Sequence, residues 1–329
     1  MSKPRLALYW AASCGGCEIT VLDIEEKILD VAAFFDIVFW PCAMDFKCKD
    51  VEAMPDGSID VCLFNGGIRT SENESMAHLL RKKSKILVAF GSCAMEGGIP
   101  GLGNLTTREE IIDWAYQGSP STVNPDRVRP TPHFAVPEGE LEIPELYDSL
   151  RTLGQVVPVD YFLPGCPPQP HQVLAVMTAI MQGAQLPPLG SVLGAGDKTC
   201  CDECGRKREE KKLKKFHRPW EIELQTDACL LDQGIICMGP ATRSGCGGLC
   251  VKANMPCRGC YGPSPNVTDP GVKMVSALAS VIDSQDVGEI NQILDQITDP
   301  VGTFYRFSVA NSMLHRKQFA GGAHAEDHH

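Results

Sequence analysis

"RLALYWAASCGGCEITVLDIEEKILDVAAFF", residues 5–35, decides how this chain is to be read. It opens on a short apolar run, 5–10, of strand length. A Cys-Gly-Gly-Cys turn follows. Then Val21, Ile24, Ile28, Val31 and Phe35 step by three and four along one helical face. Strand, glycine turn and helix in that order form the opening unit of an α/β sheet.

Four further runs read as buried strands: "DIVFW" (36–40), "IDVCLF" (59–64), "KILVAF" (85–90) and "VVPVDYF" (156–162). Helical stretches near 72–83, 108–116 and 171–183 fall among them. Such alternation predicts a doubly wound parallel sheet with helices on both faces. A proline-rich stretch, 119–144, is too long for a bare connection and predicts an ordered insertion or a partner-contacting loop. Gly and Pro crowd residues 182–199 and mark a boundary. The expected division is 1–185 for the sheet domain and 186–329 for a smaller, irregular one. Residues 200–271 show little periodicity, yet hold nine of the sixteen cysteines. Helices are expected again at 272–284 and 288–297, and a solvated tail at "GGAHAEDHH" (321–329).

At 329 residues and a formal charge of −11, the chain can bury a large core but lacks the basic surface that nucleic acid requires. No run approaches the roughly 18 apolar residues of a membrane span. The start, "MSKPRLALYWAASC", loosely imitates a signal peptide, but cleavage there would remove the first strand. A cytoplasmic, reducing location is expected, and with it thiolates in place of disulfides.

In an open parallel sheet, ligands sit beyond the carboxyl ends of the strands. Cys14 and Cys17 follow the first strand. Cys93, in "FGSCAMEGG", follows the strand ending at Phe90, and Cys166, in "LPGCPPQP", the strand ending near Phe162. Either of the last two alone reads as a small core residue. Four thiols at matching strand ends read as one site, with neighbouring glycines letting backbone approach a bulky inorganic core. Cys62 lies inside a strand and reads as core; Cys42 and Cys48 find no role.

The second half carries Cys200, Cys201 and Cys204 in "TCCDEC", then Cys229 and Cys237, then "CGGLCVKANMPCRGC" with Cys246, Cys250, Cys257 and Cys260. Nine sulfurs supply two four-ligand sites with one spare. Adjacent residues rarely reach the same cluster, so Cys200 or Cys201 is surplus. Zinc ribbons fit this half locally, but zinc has no redox chemistry and would serve shape alone. Three iron–sulfur clusters would serve as a wire.

"SCGGCE", "FGSCAMEGG", "LPGCPPQP" and the C-terminal cysteine pattern together resemble the small subunit of nickel–iron hydrogenases, from the first strand through Cys260. The resemblance implies a flavodoxin-like domain followed by an iron–sulfur domain. It implies a proximal 4Fe–4S cluster on Cys14, Cys17, Cys93 and Cys166, and a medial one on Cys246, Cys250, Cys257 and Cys260. Cys201, Cys204, Cys229 and Cys237 would hold the distal one, leaving Cys200 spare. Periplasmic uptake members carry histidine where this chain has Cys201 and proline where it has Cys250, so three 4Fe–4S clusters are implied here. With "NGGIRTSEN" (65–73), and with neither a twin-arginine signal nor a terminal anchor, the chain is similar to the cytoplasmic F(420)-non-reducing, methyl-viologen-reducing group of methanogens. Its implied partners are a large subunit holding the nickel–iron centre, a small 2Fe–2S acceptor subunit and, beyond that, heterodisulfide reductase. No D-P-C signature of a nickel-binding subunit occurs, so no catalytic residue is expected on this chain. The alternatives are a coenzyme-reducing or NAD-linked relative, a hydrogen sensor, and a zinc-stabilised interaction protein. A complex I-type quinone reductase subunit would not need the eight C-terminal ligands.

Three features remain. Glu18 is expected to cap the helix after Cys17. The basic island "GRKREEKKLKKFHR" (205–218) reads as a solvated helix face, with docking of an electron partner as the second reading. "GIPGLGNL" (98–105) lacks the full dinucleotide fingerprint, and nucleotide binding there is rejected.

Overall fold

The computed structural model describes residues 3–209 and 212–314. The histidine-rich tail lies outside them. Five strands form the central sheet: β1 (Arg5–Trp10), β2 (Asp36–Phe39), β3 (Ile59–Asn65), β4 (Ser84–Phe90) and β5 (Tyr161–Leu163). All pairs are parallel and the order is β2-β1-β3-β4-β5. This is the doubly wound, flavodoxin-like order, whose strand order reverses between β1 and β3.

Alternation along each strand sends its apolar residues to both faces. Leu6, Leu8, Leu63 and Val88 pack with Val21, Val31, Val173 and Met177 on one side. Ala7, Tyr9, Phe64 and Leu87 pack with Met76, Ala77 and Leu80 on the other. The helices supplying these faces are α1 (Gly16–Leu22), α2 (Ile28–Phe34), α3 (Ser71–Lys83) and, after the last strand, α5 (Pro170–Met181). A short α4 (Ser92–Glu96) follows β4.

The predicted single helix after Cys17 is in fact two. Glu25 takes φ +57° between α1 and α2, which ends the hydrogen-bond ladder while keeping Val21, Ile24, Val31 and Phe35 buried. The last strand is shorter than expected, because Pro158 offers no N–H and residues 153–155 form a 3₁₀ turn. Ile68–Thr70 and Leu146–Arg151 pair in an antiparallel ribbon that the sequence did not announce. Within 119–144 the chain forms a hairpin, His133–Val136 with Gly139–Glu142.

Beyond Cys200 a separate core gathers Leu230, Ile235, Met238, Met274, Leu278 and Val309. Two helices, α6 (Pro270–Ala279) and α7 (Val287–Leu294), support it near the expected positions. The basic island does not form the expected helix. Its residues run extended, with Lys207, Leu213 and His217 bridging to Ala228, Ile282 and Ile235, while residues 210–211 lie outside the description. Eight positive charges in fourteen residues disfavour a helix unless packing overrides, and here the flanking loops offer carbonyls instead. No helix among the described residues is long and apolar enough to cross a membrane.

Candidate metal centres

Cys14 and Cys17 stand at the end of β1, Cys93 opens α4 after β4, and Cys166 follows β5. Parallel strands deliver them to one edge, where each of the four feels the charge of the other three. Burial first, then these neighbours, pushes the Cys17 thiol up; the same causes push Cys93 to about 12. Thiols crowded this way repel one another once ionised, so the site needs bound cations to hold thiolates together. The backbone is cut to fit them. A Cβ on Gly91 would lie 2.3 Å from Cys17 Sγ, and one on Gly98 2.5 Å from Cys93 Sγ. Gly91 N–H donates to Leu163 O (2.8 Å) and Ser92 N–H to Gly165 O (2.8 Å), locking two of the ligand loops together.

A second set joins Cys246, Cys250, Cys257 and Cys260, again with every pair close enough to interact. Burial and these neighbours push the Cys260 thiol up. The third comprises Cys201, Cys204, Cys229 and Cys237, which line one cavity. Burial pushes both Cys201 and Cys237 up to about 12. Gly239 leaves room there, since its Cβ would sit 3.0 Å from Cys201 Sγ.

All sixteen cysteines are free thiols. Three convergent tetrathiol sets without a disulfide, each with one exposed member (Cys14, Cys250 and Cys201) and three buried or half-buried ones, fit iron–sulfur clusters or zinc by donor type alone. The sets also touch in series. Cys166 of the first lies within electrostatic reach of Cys260 in the second. Cys257 of the second donates its backbone N–H to Cys237 Sγ of the third (3.3 Å). Ser92 Oγ–H donates to the Cys260 carbonyl, and the buried Tyr261 hydroxyl donates to Gln172 Oε1 (2.8 Å) on α5. The two units are thus pinned where their first two thiol sets meet.

The remaining cysteines fall as follows. Cys62 is buried inside β3. Cys200 is buried against Cys246 and Cys257, on the second set, while also bordering the cavity of the third. Cys48 starts an exposed helical turn. Cys42 donates its thiol to Glu18 Oε2 (3.4 Å), as does the Trp40 indole N–H. Glu18 therefore does not cap α1; its buried carboxyl turns inward, and burial holds its pKa above the ordinary value.

Solved and curated proteins of known name bear on these sites. Residues 14–180 match the family model described as NADH ubiquinone oxidoreductase, 20 Kd subunit. The iron-sulfur subunit of the F420-non-reducing hydrogenase of Archaeoglobus profundus is 41% identical over 96% of this chain and 99% of its own length. An F420-non-reducing hydrogenase subunit of Methanothermobacter marburgensis is 35% identical, over 96% and 97%. The chain belongs to the nickel–iron hydrogenase small-subunit family. One chain in the crystal structure of an NAD+-reducing [NiFe]-hydrogenase in the H2-reduced state is 28% identical, with TM-score 0.47, covering 56% of this chain and 96% of that one. As a hydrogenase small subunit, the protein is part of an oxidoreductase, carries iron–sulfur clusters and pairs with a nickel–iron large subunit.

Three residues that sequence reading passed over organise the sites of this hydrogenase subunit. Glu203, between two thiols of the third set, accepts Gly245 N–H (2.9 Å) and Gly247 N–H (3.0 Å) on either side of Cys246. Arg206, in the basic island, donates to the carbonyls of Val251, Gln225 and Ala228 and to Asn254 Oδ1. Glu96 is 4% exposed at the end of α4 and accepts Asn311 Nδ2–H (3.0 Å). None shows in the sequence as more than an ordinary charge, because each role depends on loops far away.

Glu96 gives a pH test. Burial raises its pKa from the ordinary 4.5 to about 7, with Asn311 and Arg243 opposing. A raised acid favours the folded state when protonated. Its share of stability is present below about 4.5 and lost as pH rises to about 7, a swing on the order of 3 kcal/mol. Glu96→Gln is expected to flatten the difference in denaturation midpoint between pH 5.5 and 7.5. An unchanged difference would mean that the carboxyl titrates normally.

Proposed function

We propose that the chain is the electron-carrying subunit of a cytoplasmic nickel–iron hydrogenase of the F420-non-reducing group. In this reading residues 1–185 hold the proximal cluster on Cys14, Cys17, Cys93 and Cys166. Residues 186–329 hold the medial cluster on Cys246, Cys250, Cys257 and Cys260 and the distal cluster on Cys201, Cys204, Cys229 and Cys237. What carries the reading is the serial contact of the three thiol sets, Cys166 toward Cys260 and Cys257 onto Cys237 Sγ. Sites for zinc would have no need to touch.

Three 4Fe–4S clusters bound there would accept and pass single electrons between the partner's nickel–iron centre and an acceptor subunit. The protein's part is to place and tune. Gly91 and Gly98 clear the space at the first set. Burial of Cys17, Cys93 and Cys257 keeps water from the ligands and limits reorganisation. Ser92 and Tyr261 fix the distance between the units, and Glu203 holds the turn around Cys246. The acceptor is proposed to be a small 2Fe–2S subunit that leads to heterodisulfide reductase. The full-length relatives named for F420-non-reducing hydrogenase support that choice over a coenzyme-reducing or NAD-linked partner.

Iron, acid-labile sulfide and zinc per chain in anaerobically purified protein provide the test. About twelve iron and twelve sulfide, with little zinc, is the expected result for three cubane clusters. Two or three zinc without sulfide would overturn the relay and leave a structural metal protein.

A further inference from the structure

A cavity of about 530 Å³ opens on the second unit, near the loops that carry the medial and distal thiol sets. Phe216, Trp220 and Ile235 give it an apolar wall, while Lys215, Arg218 and Arg258 bring positive charge to it. Arg258 lies between Cys257 and Cys260, and Ile236 of the lining directly precedes Cys237. The cavity is therefore walled in part by the loops that carry Cys237, Cys257 and Cys260.

Among the described residues, none of Arg218, Arg258 and Arg306 is in an ion pair with a carboxylate. Glu221 is the one carboxylate of the lining, and it is occupied with the Arg218 backbone N–H (3.0 Å) and with His217 (3.8 Å). Lys215, Arg218 and Arg258 around one cavity, in a chain of net charge −11, are a local excess of positive charge that an anion would relieve. The guanidinium fork is shaped for carboxylate and phosphate.

We propose that this pocket is an anion site that receives the carboxylates of an acidic segment on the electron-accepting partner. The apolar wall decides for a peptide over a free anion. Trp220 is 77% exposed and carries the Arg218 guanidinium at 5.9 Å from its ring. A phosphate ion would satisfy the arginines and leave that ring wet, whereas a segment with both acidic and apolar side chains covers both. Exposed Trp and Arg side by side are also the residue types that dominate binding energy at protein interfaces. The segment's docking would set the partner beside Cys237 and Cys257. The basic stretch 205–218 contributes Lys215, His217 and Arg218 to this wall.

The identity of the occupant rests on the relay reading; the anion site does not, because binding is read without electron flow. The test uses the subunit purified with its large subunit and without the acceptor, and a fluorescein-labelled peptide, Glu-Leu-Glu-Glu-Leu-Glu, followed by anisotropy. Saturable binding is expected, weakened about tenfold or more in Arg218→Ala and in Trp220→Ala, and absent for the same peptide with Lys for Glu. Both positions are on the surface, so iron content should hold, which separates this result from a failure of the relay. No saturable binding, or equal affinity in both variants, would overturn the proposal. Inorganic phosphate competing as tightly as the peptide, with the same dependence on Arg218, would overturn the peptide as occupant and leave a free-anion site.

Discussion

Alanine at Gly91 is expected to strip the protein of about four of its iron atoms while the other two sites stay loaded. Gly91 takes φ +85° and ψ 165°, a region in which a side chain costs roughly 1–3 kcal/mol. The greater obstacle is space. The new Cβ would stand 2.3 Å from Cys17 Sγ, a ligand atom and not the free end of a flexible side chain. The backbone has no room to retreat, since the N–H groups of Gly91 and Ser92 are fixed to Leu163 and Gly165. Cys17 must therefore leave the position from which it meets Cys14, Cys93 and Cys166. Gly57→Ala is the control: φ there is +66°, but nothing lies within 4 Å of the added Cβ. It should cost about 1 kcal/mol and no iron. Iron and sulfide analysis, with low-temperature EPR of the reduced protein, decides the matter. With one site missing at the large-subunit end, hydrogen-driven reduction of methyl viologen should drop by about a hundredfold or more. Full iron in Gly91→Ala would show that Cys17 is not a ligand.

That experiment turns on a feature half visible in the chain itself. The placement of Cys14, Cys17, Cys93 and Cys166 at one sheet edge follows from where apolar runs end, because a parallel sheet exports every strand's carboxyl end to the same side. The fold was legible for the same reason: 61–64 and 86–90 are continuous apolar runs, and only buried strands or helices accept those. What stayed hidden depends on distant partners. Ile68–Thr70 is too short to show a period, and its pairing with Leu146–Arg151 is set only once α3 and β3 are in place. The break at Glu25 leaves the three-four spacing intact, so periodicity alone reports one helix. Glu18 sits where a helix-capping acid belongs, yet Trp40 and Cys42 turn it inward. The basic island misled for a related reason. Charge density predicts solvent exposure, but an arginine can spend its five donors on carbonyls that no local pattern reveals.

Arg206 is that arginine, and its removal should unsettle the second and third thiol sets together. Its Nε and Nη2 reach the Val251 carbonyl (3.2 and 2.8 Å), one residue past Cys250. Its Nη1 reaches the Ala228 carbonyl (3.0 Å), one residue before Cys229, and also Gln225 (2.8 Å). Nη2 further donates to Asn254 Oδ1 (2.7 Å), at a residue whose φ of +61° shapes the turn between Cys250 and Cys257. One side chain thus ties a loop of the second thiol set to a loop of the third. Hydrogen bonds from a charged donor contribute about 1.5–3 kcal/mol each, but these act as a unit and the residue is half-buried, so a net loss of about 3 kcal/mol is the expectation for Arg206→Ala. Lysine is expected to recover little, because an ammonium on one atom cannot span carbonyls on both sides of a planar fork. The readout differs from that of Gly91→Ala. Iron should be lost slowly, on mild warming, from the two C-terminal sites, while the EPR signal of the site on Cys14, Cys17, Cys93 and Cys166 persists. Loss of all three signals at one temperature would instead mean that the units unfold as one, and that the contacts made by Ser92 and Tyr261 couple them more tightly than their separate cores require.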